Sequence, residues 1–419
     1  MNTFTLIFLI ALGLSIIVQF WLAARQMHHV RQHSTDVPSP FDSSISLAEH
    51  NKAANYTLTK VGFSRITTIY STVLLLAWTL GGGLDLLDSA WARLEINDIL
   101  RGTLFIFSIL VISTLLSLPT SLYSTFVLEE KFGFNKTTYG IFFTDLAKEL
   151  LITAVVGIPL LFLVLWLMQI SGELWWLYVW MVWFGFSLLM MWVYPKFIAP
   201  LFNKFEPLEE GETRNRIQDL LERTGFRSNG IFVMDGSKRS GHSNAYFTGL
   251  GSNKRIVFFD TLTKTLDTDE LESVLAHELG HFKFRHIHKN IILMGALSLA
   301  GLYILGWLIQ NDWFYAGLGV STPSTHTALV LFMFIAPVFT FFLQPVMSFL
   351  MRKHEFEADE FAIKQTSYRY LLNALVKLYK ENASTLTPDP VYSAFYDSHP
   401  PAPIRVSHIM SYQGQSVNG

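Results

Sequence analysis

Seven uninterrupted apolar runs constrain this chain more than any other feature. They cover residues 3–24, 66–84, 102–128, 150–172, 174–195, 290–311 and 327–351, and none contains Asp, Glu, Lys or Arg. About 20 consecutive apolar residues are needed for a helix to cross the hydrocarbon core of a bilayer. One or two such runs could be helices buried in a water-soluble core; seven of this length cannot. Composition agrees: 15% of the 419 residues are charged, against a usual quarter in soluble domains, and mean hydropathy is +0.34. The fold class that follows is mainly α, a polytopic membrane protein with seven transmembrane helices.

Orientation is read from the basic residues, which collect in cytoplasmic loops. Segment 25–65 carries five Lys and Arg, segment 129–149 carries Lys131, Lys136 and Lys148, and 196–289 is rich in them. The alternate connections are poorer: 85–101 sets Arg93 and Arg101 against four acids, and 312–326 has neither Lys nor Arg. Seven spans with the N-terminus outside satisfy this pattern throughout. The first run lacks the basic residues that precede the core of a secretory signal, so it is expected to remain as an anchor. The sequons at Asn55, Asn135 and Asn382 then face the cytoplasm and are expected to be coincidental. No cysteine is present, which excludes disulfides and cysteine-bound metals. A net charge of −2 without a basic tract offers nothing to a nucleic acid.

Two water-facing blocks remain, 196–289 and 352–419, both expected in the cytoplasm. In the first, "RNRIQDLLERTG" has the pattern of an amphipathic helix ending at Gly225. "GIFVMDG", "SNAYFTGLG" and "KRIVFFDTL" are short β-rich runs, predicting a small antiparallel sheet. "DTDELESVLAHELGHFKFRH" then begins a helix, with Asp267 as N-cap and Glu270 three residues on. On that helix lies His277-Glu278-Leu279-Gly280-His281, the pattern H-E-x-x-H. Residues i and i+4 share a helix face, so both imidazoles can reach one Zn²⁺. Glu278 lies beside the metal, where it can take a proton from bound water.

Catalytic zinc uses three protein ligands and leaves a place for water. A third histidine in the longer pattern H-E-x-x-H-x-x-G-x-x-H would fall at 287, which is Ile, with glycine at 284, which is Phe. His286 and His288 miss that register and are expected at the membrane edge. The alternative is a downstream glutamate, and after Glu278 none occurs until Glu355 in "RKHEFEADEFA". Two spans lie between, so the chain returns to the same side of the membrane. Asp359, one helical turn after Glu355, suits a carboxylate that orients a metal-bound imidazole. Glu357 is rotated about 200° from Glu355 and is expected to face away. The hairpin of spans 290–311 and 327–351 thus joins both halves of the site at the membrane face, an arrangement suited to membrane-attached substrates.

The chain resembles the type I CAAX prenyl proteases, integral-membrane zinc metallopeptidases of the gluzincin kind. "LPTSLYSTFVLEEKFGFNKTT", "HSNAYFTGL", "VLAHELGHFKFRH", "RKHEFEADEFA" and "SHPPAPIR" are similar to the motifs of that family and stand in family order. The resemblance implies seven spans enclosing a large water-filled chamber, with a cytoplasmic zincin-like portion containing the small sheet. It implies His277, His281 and Glu355 as ligands of one Zn²⁺ and Glu278 as general base. Asn244 and Ala245 would bind the substrate backbone by strand addition. His399 would help hold the scissile carbonyl or its oxyanion, with Arg405 nearby at the substrate. The chain ends at "SYQGQSVNG" without a retrieval signal, which resembles a bacterial member, where prenylation of the substrate stays open.

The expected division is 1–195, with five spans, and 196–419, the peptidase portion including the last two spans. The expected function is zinc-dependent hydrolysis of peptide bonds in membrane-associated substrates. Partners are a peptide or protein substrate, prenylated or not, and the lipid bilayer, with no nucleic acid. The rivals are a general quality-control protease of membrane proteins and an inactive scaffold or transporter; an intact general base speaks against the latter. The expected location is a bacterial inner membrane (the endoplasmic reticulum for a eukaryotic source), with the site toward the cytoplasm.

Overall fold

A computed structural model describes residues 2–248 and 255–414. The ends of two expected β-rich runs (249–251 and 254) and the tail 415–419 lie outside the described residues. Seven long apolar helices occupy Thr3–Gln32, Leu47–Trp78, Asp98–Phe132, Tyr139–Ile170, Gly172–Leu201, His286–Leu308 and Thr325–Gln365. Each expected apolar run falls mainly on one of them. At 1.5 Å per residue, the shortest still reaches about 35 Å, more than the hydrocarbon thickness. The run 66–84 outlasts its helix by the most, since that helix ends at Trp78. Gly82 adopts a left-handed φ of 77°, and an added Cβ at Gly81 or Gly83 would stand 2.8 Å from the Ala77 carbonyl. The chain therefore turns here and starts a short helix, Gly83–Ala92.

Contacts sort the connections into two ends. At one end Asn2 donates to the Trp313 carbonyl at 2.7 Å, Asp85 accepts from the Ser321 N–H at 3.1 Å, and Asp88 pairs with His326 at 2.8 Å. At the other, Arg25 pairs with Asp389 at 2.9 Å and Arg239 with Asp145 at 2.8 Å. The loops grouped by basic content share an end as expected. The buried core of the spans lies toward the first end. Phe8, Leu12, Phe105, Ile106, Met168, Trp175, Leu305, Leu308, Phe314 and Leu331 pack there, each near the terminus of its helix at that end.

The second end carries the water-facing elements. The helix Glu212–Thr224 ends at Gly225, whose φ is 67°, a left-handed cap that favours glycine. Among the described residues, four strands form one sheet: β1 (Phe205–Pro207), β2 (Ile231–Met234), β3 (Ala245–Thr248) and β4 (Arg255–Phe259), in the order β1-β2-β4-β3. The sheet is mixed rather than antiparallel, because β2 and β4 run parallel. The linker through the turn Gly236–Lys238 carries the chain past the position beside β2. Strand β3 becomes the outer strand, and β4 returns antiparallel to it into the gap. Strand β1, which no apolar alternation marks, adds the other edge. Against the sheet lie Thr268–Lys283 and Tyr368–Glu381, sharing a core of Ile256, Phe258, Leu271, Leu275, Leu371 and Leu375.

Candidate active site

The helix Thr268–Lys283 starts on the expected reciprocal cap. The Asp267 carboxylate accepts the Glu270 N–H, and Glu270 accepts the Asp267 N–H, each at 3.0 Å. Buried Glu270 also pairs with Lys377 at 2.6 Å, fixing this end against Tyr368–Glu381. With Leu271, Leu275 and Leu279 in the core, His277 and His281 follow one another on an adjoining face. Their Nε2 atoms approach to 3.2 Å. Glu355 comes from Gln344–Gln365, the helix that continues the last span. Its Oε2 lies 3.5 Å from His277 Nε2 and its Oε1 3.3 Å from His281 Nε2. Ligand-type atoms of the three residues all lie within 4.8 Å of one another.

A glycine makes this meeting possible. A Cβ on Gly280 would stand 2.8 Å from Ala358 Cα and 3.1 Å from its carbonyl oxygen. The backbones cross this closely only because that atom is missing, and Glu355 and Asp359 flank Ala358 in the sequence. Asp359 is fully buried and accepts the His277 Nδ1–H at 2.8 Å. Both its oxygens are also held by Arg405, through Nε at 2.7 Å and Nη2 at 2.7 Å. Arg405 is buried, and its Nη1 lies 3.5 Å from Glu355. Its guanidinium is therefore engaged by both carboxylates, and Arg405 also lines the cavity in front of them, the side on which the sequence places a substrate.

A cavity of about 890 Å³ opens in front, lined by Asn244, His277, Glu278, Glu355 and His399 among others. The His399 side chain is 65% exposed, with Nε2 3.6 Å from Glu355 Oε1. The chain before it is anchored by Arg352, which donates to the carbonyls of Ser393, Ala394 and Asp397 at 3.2, 3.2 and 2.8 Å. Asn244 precedes β3, its carbonyl accepting the Phe259 N–H at 3.0 Å. Ala245 is the first residue of that outer strand. Asn382 grips the preceding Ser243 through its N–H at 2.9 Å and its carbonyl at 3.2 Å. The loop of the "LEEKFGFNKTT" motif supports the same segment: the Phe134 carbonyl accepts the Gly241 N–H at 2.8 Å, and the Phe134 ring stacks on His242 at 4.1 Å.

Comparison with known proteins agrees over both halves. Residues 26–204 match the family model described as CAAX prenyl protease N-terminal, five membrane helices, and residues 207–413 match peptidase family M48. CAAX prenyl protease 1 of Saccharomyces cerevisiae is 36% identical over 416 residues, covering 91% of this chain and 89% of that protein. The homolog of Oryza sativa subsp. japonica is 36% identical over 93% of this chain and 94% of its own length. The crystal structure of S. mikatae Ste24p superposes with a TM-score of 0.89 at 33% identity, covering 98% of this chain and 99% of that one. The chain belongs to peptidase family M48. It is a multi-pass membrane metalloendopeptidase, and the family implies a metal.

Two observations at this M48 site suit a cation. Glu355 Oε2 is buried and makes no hydrogen bond, with Arg405 Nη1 and His277 Nε2 each 3.5 Å away, a state in which a nearby cation is favoured. At His277, burial and the Arg405 charge oppose protonation, yet the Asp359 and Glu355 carboxylates outweigh them and raise its pKa to about 9. The carboxylates around His277 thus favour positive charge at this position. Burial likewise raises the Glu278 carboxyl, against the opposing pull of His277 and His281, toward the range useful for taking and returning protons.

Several contributors are invisible to motif reading. Gly280 reads as a filler inside H-E-x-x-H, and only the facing Ala358 reveals its part. Phe134 and Asn382 act from far along the chain. His286 is expected at the membrane edge and Glu357 on the helix side away from Glu355. His286 does begin the span helix His286–Leu308, but it is buried at 2% exposure, bonded to His281 at 3.0 Å and to Glu357 at 2.8 Å. Glu357 does leave the Glu355 face, as helical rotation requires, but the opposite side of the helix meets His286 rather than solvent.

Proposed function

We propose that this M48 peptidase holds one Zn²⁺ on His277, His281 and Glu355 and hydrolyses peptide bonds of membrane-associated substrates, including C-terminal prenylated CAAX peptides. The convergence of two imidazole Nε2 atoms and one buried carboxylate oxygen that makes no hydrogen bond carries this reading. Bound there, the metal supplies Lewis acidity toward water and the scissile carbonyl. Glu278 takes the proton of the attacking water and delivers it to the leaving amine. His399, exposed to the cavity beside Glu355, donates to the developing oxyanion. A peptide adds to the outer edge of β3 with Asn244 and Ala245 at its start, so its backbone runs past the metal. Asp359 fixes the His277 tautomer, and Arg405 steadies Asp359 and Glu355 while lining the cavity that would take the substrate.

The two functional portions are proposed to divide at about residue 195. The last two spans belong with the peptidase portion, because they carry its two halves. A water-filled chamber enclosed by the spans is part of this proposal. The membrane proposed is a bacterial inner membrane, or the endoplasmic reticulum for a eukaryotic source. The Lys and Arg distribution supports the catalytic end facing the cytoplasm.

The deciding experiment compares wild type, Glu278→Gln and Glu355→Gln on a prenylated and an unprenylated peptide, with metal analysis of each protein. Glu278→Gln should retain zinc and lose hydrolysis by several orders of magnitude. Glu355→Gln should lose both. Cleavage of the unprenylated peptide by wild type as fast as the prenylated one would remove the CAAX specificity and leave a general membrane protease. Zinc retained by Glu355→Gln would remove the ligand assignment.

A further inference from the structure

The two proposed histidine ligands are not supported alike. His277 donates Nδ1–H directly to Asp359. Among the described residues, His281 Nδ1 meets no carboxylate; it meets Nδ1 of His286 at 3.0 Å, and Nε2 of His286 meets Glu357 Oε2 at 2.8 Å. A carboxylate only accepts, so His286 Nε2 carries a hydrogen. In a neutral His286 the Nδ1 is then bare and must accept, which places the hydrogen of the pair on His281 Nδ1. The consequence is a lone pair on His281 Nε2, the atom that faces His277 and Glu355. The opposite placement would put hydrogen on His281 Nε2 and close that ligand position.

His286 is also placed with little freedom. It is the first residue of the span helix His286–Leu308, entered through Arg285 in a left-handed conformation at φ 57°. Its ring stacks on His354 at 4.0 Å with an interplanar angle of 12°, and on its other neighbour Phe284 at 5.8 Å. The kink at Arg285 folds the start of the span back onto the last turn of the H-E-x-x-H helix.

We propose that His286, seated by Glu357, is a positioning residue that sets the tautomer and orientation of His281 and thereby governs how tightly the metal is held. The inference rests on the ligand assignment above. It extends that assignment by a histidine-to-carboxylate relay that ties a metal ligand to the start of a membrane span.

The test measures release of Zn²⁺ to a chelator from the full-length protein in detergent, for wild type, His286→Leu, His286→Asn, Glu357→Ala and Glu355→Gln. His286→Leu keeps bulk but offers no acceptor, and should release zinc about 10- to 100-fold faster, the usual cost of losing such a partner. Asn at 286 places an amide oxygen near the former Nδ1 and should restore release to within about threefold of wild type, which lost packing alone would not explain. Glu357→Ala, altering a side chain that is 31% exposed, should speed release at least about threefold. Should His286→Leu fail to give monodisperse protein, Glu357→Ala decides. Zinc retained by Glu355→Gln would overturn the ligand assignment itself. Zinc lost from Glu355→Gln but held normally by His286→Leu, or by Glu357→Ala where that variant decides, would overturn the relay alone.

Discussion

His277 and His281 stand one turn apart on the same helix, yet the protein secures them from different sides by different chemistry. The His277 side faces the soluble core: Asp359 is fully buried and locked by a bidentate arginine, itself buried. The His281 side faces the start of a membrane span, and its support passes through the His286 ring to Glu357, partly open to solvent. A buried carboxylate needs a counter-charge, which Arg405 provides, so that side is a rigid charged block. A neutral imidazole needs none and can serve at an edge where the spans begin. Damage on the first side should therefore cost fold and metal together, and damage on the second mainly metal.

The largest effect is expected from Asp359→Ala. It strands the Arg405 charge in a buried site, a loss of about 3–5 kcal/mol for a broken buried pair, and frees the His277 ring. Thermal unfolding of the apo protein should fall sharply and bound metal should disappear. Combining it with Arg405→Met should recover stability but no metal. Full metal in the single variant would break the comparison.

Gly280→Ala should come next, because it touches both sides at once. Its methyl would push Ala358 away, at about 1–3 kcal/mol for overpacking, and move Glu355 and Asp359 together. Metal affinity and turnover should fall in parallel while the protein still folds. Normal metal binding would mean that the helices can separate without disturbing the ligands.

Asn382→Ala sharpens the contrast by leaving both metal flanks alone. It releases the Ser243 backbone next to the outer strand, worth about 1–2 kcal/mol. The expected result is a fall of about tenfold in kcat/KM with metal content unchanged. Metal loss would show that the substrate strand and the metal site form one unit.

The smallest effect belongs to Arg25→Gln, which cuts the tie from the first span to Asp389. Burial favours the neutral Asp389 carboxyl, but Arg25 and the N–H groups of Tyr392 and Val391 hold its pKa below the usual value. A carboxyl held low stabilises the fold above its unfolded pKa, about 3.9, and that contribution is lost as pH falls through the folded value. Wild type should exceed the variant by at most about 1 kcal/mol at neutral pH, as Arg25 is partly exposed. The gap should close as pH drops below about 4. A gap that persists in acid would assign the effect to packing of the arginine stem.

The local features of this protein were legible in its residue order because their physics is local. A bilayer demands about 20 apolar residues whatever surrounds them, so the seven runs announce seven helices. An i, i+4 pair shares a face on any helix, so His277 and His281 could be paired from spacing alone. Asp267 with Glu270, and Gly225 at a helix end, act within one turn of themselves. Tertiary structure decided what meets those faces. Periodicity turned Glu357 away from Glu355 but could not say that His286 waits there, 71 residues earlier in the chain. Nor could it show that Gly280 is an approach point for Ala358, that Arg405 engages both carboxylates, or that β4 enters parallel to β2. Each of these depends on the relative placement of two elements. A helix period specifies the direction of a side chain from its own axis and carries no information about which neighbour stands in that direction.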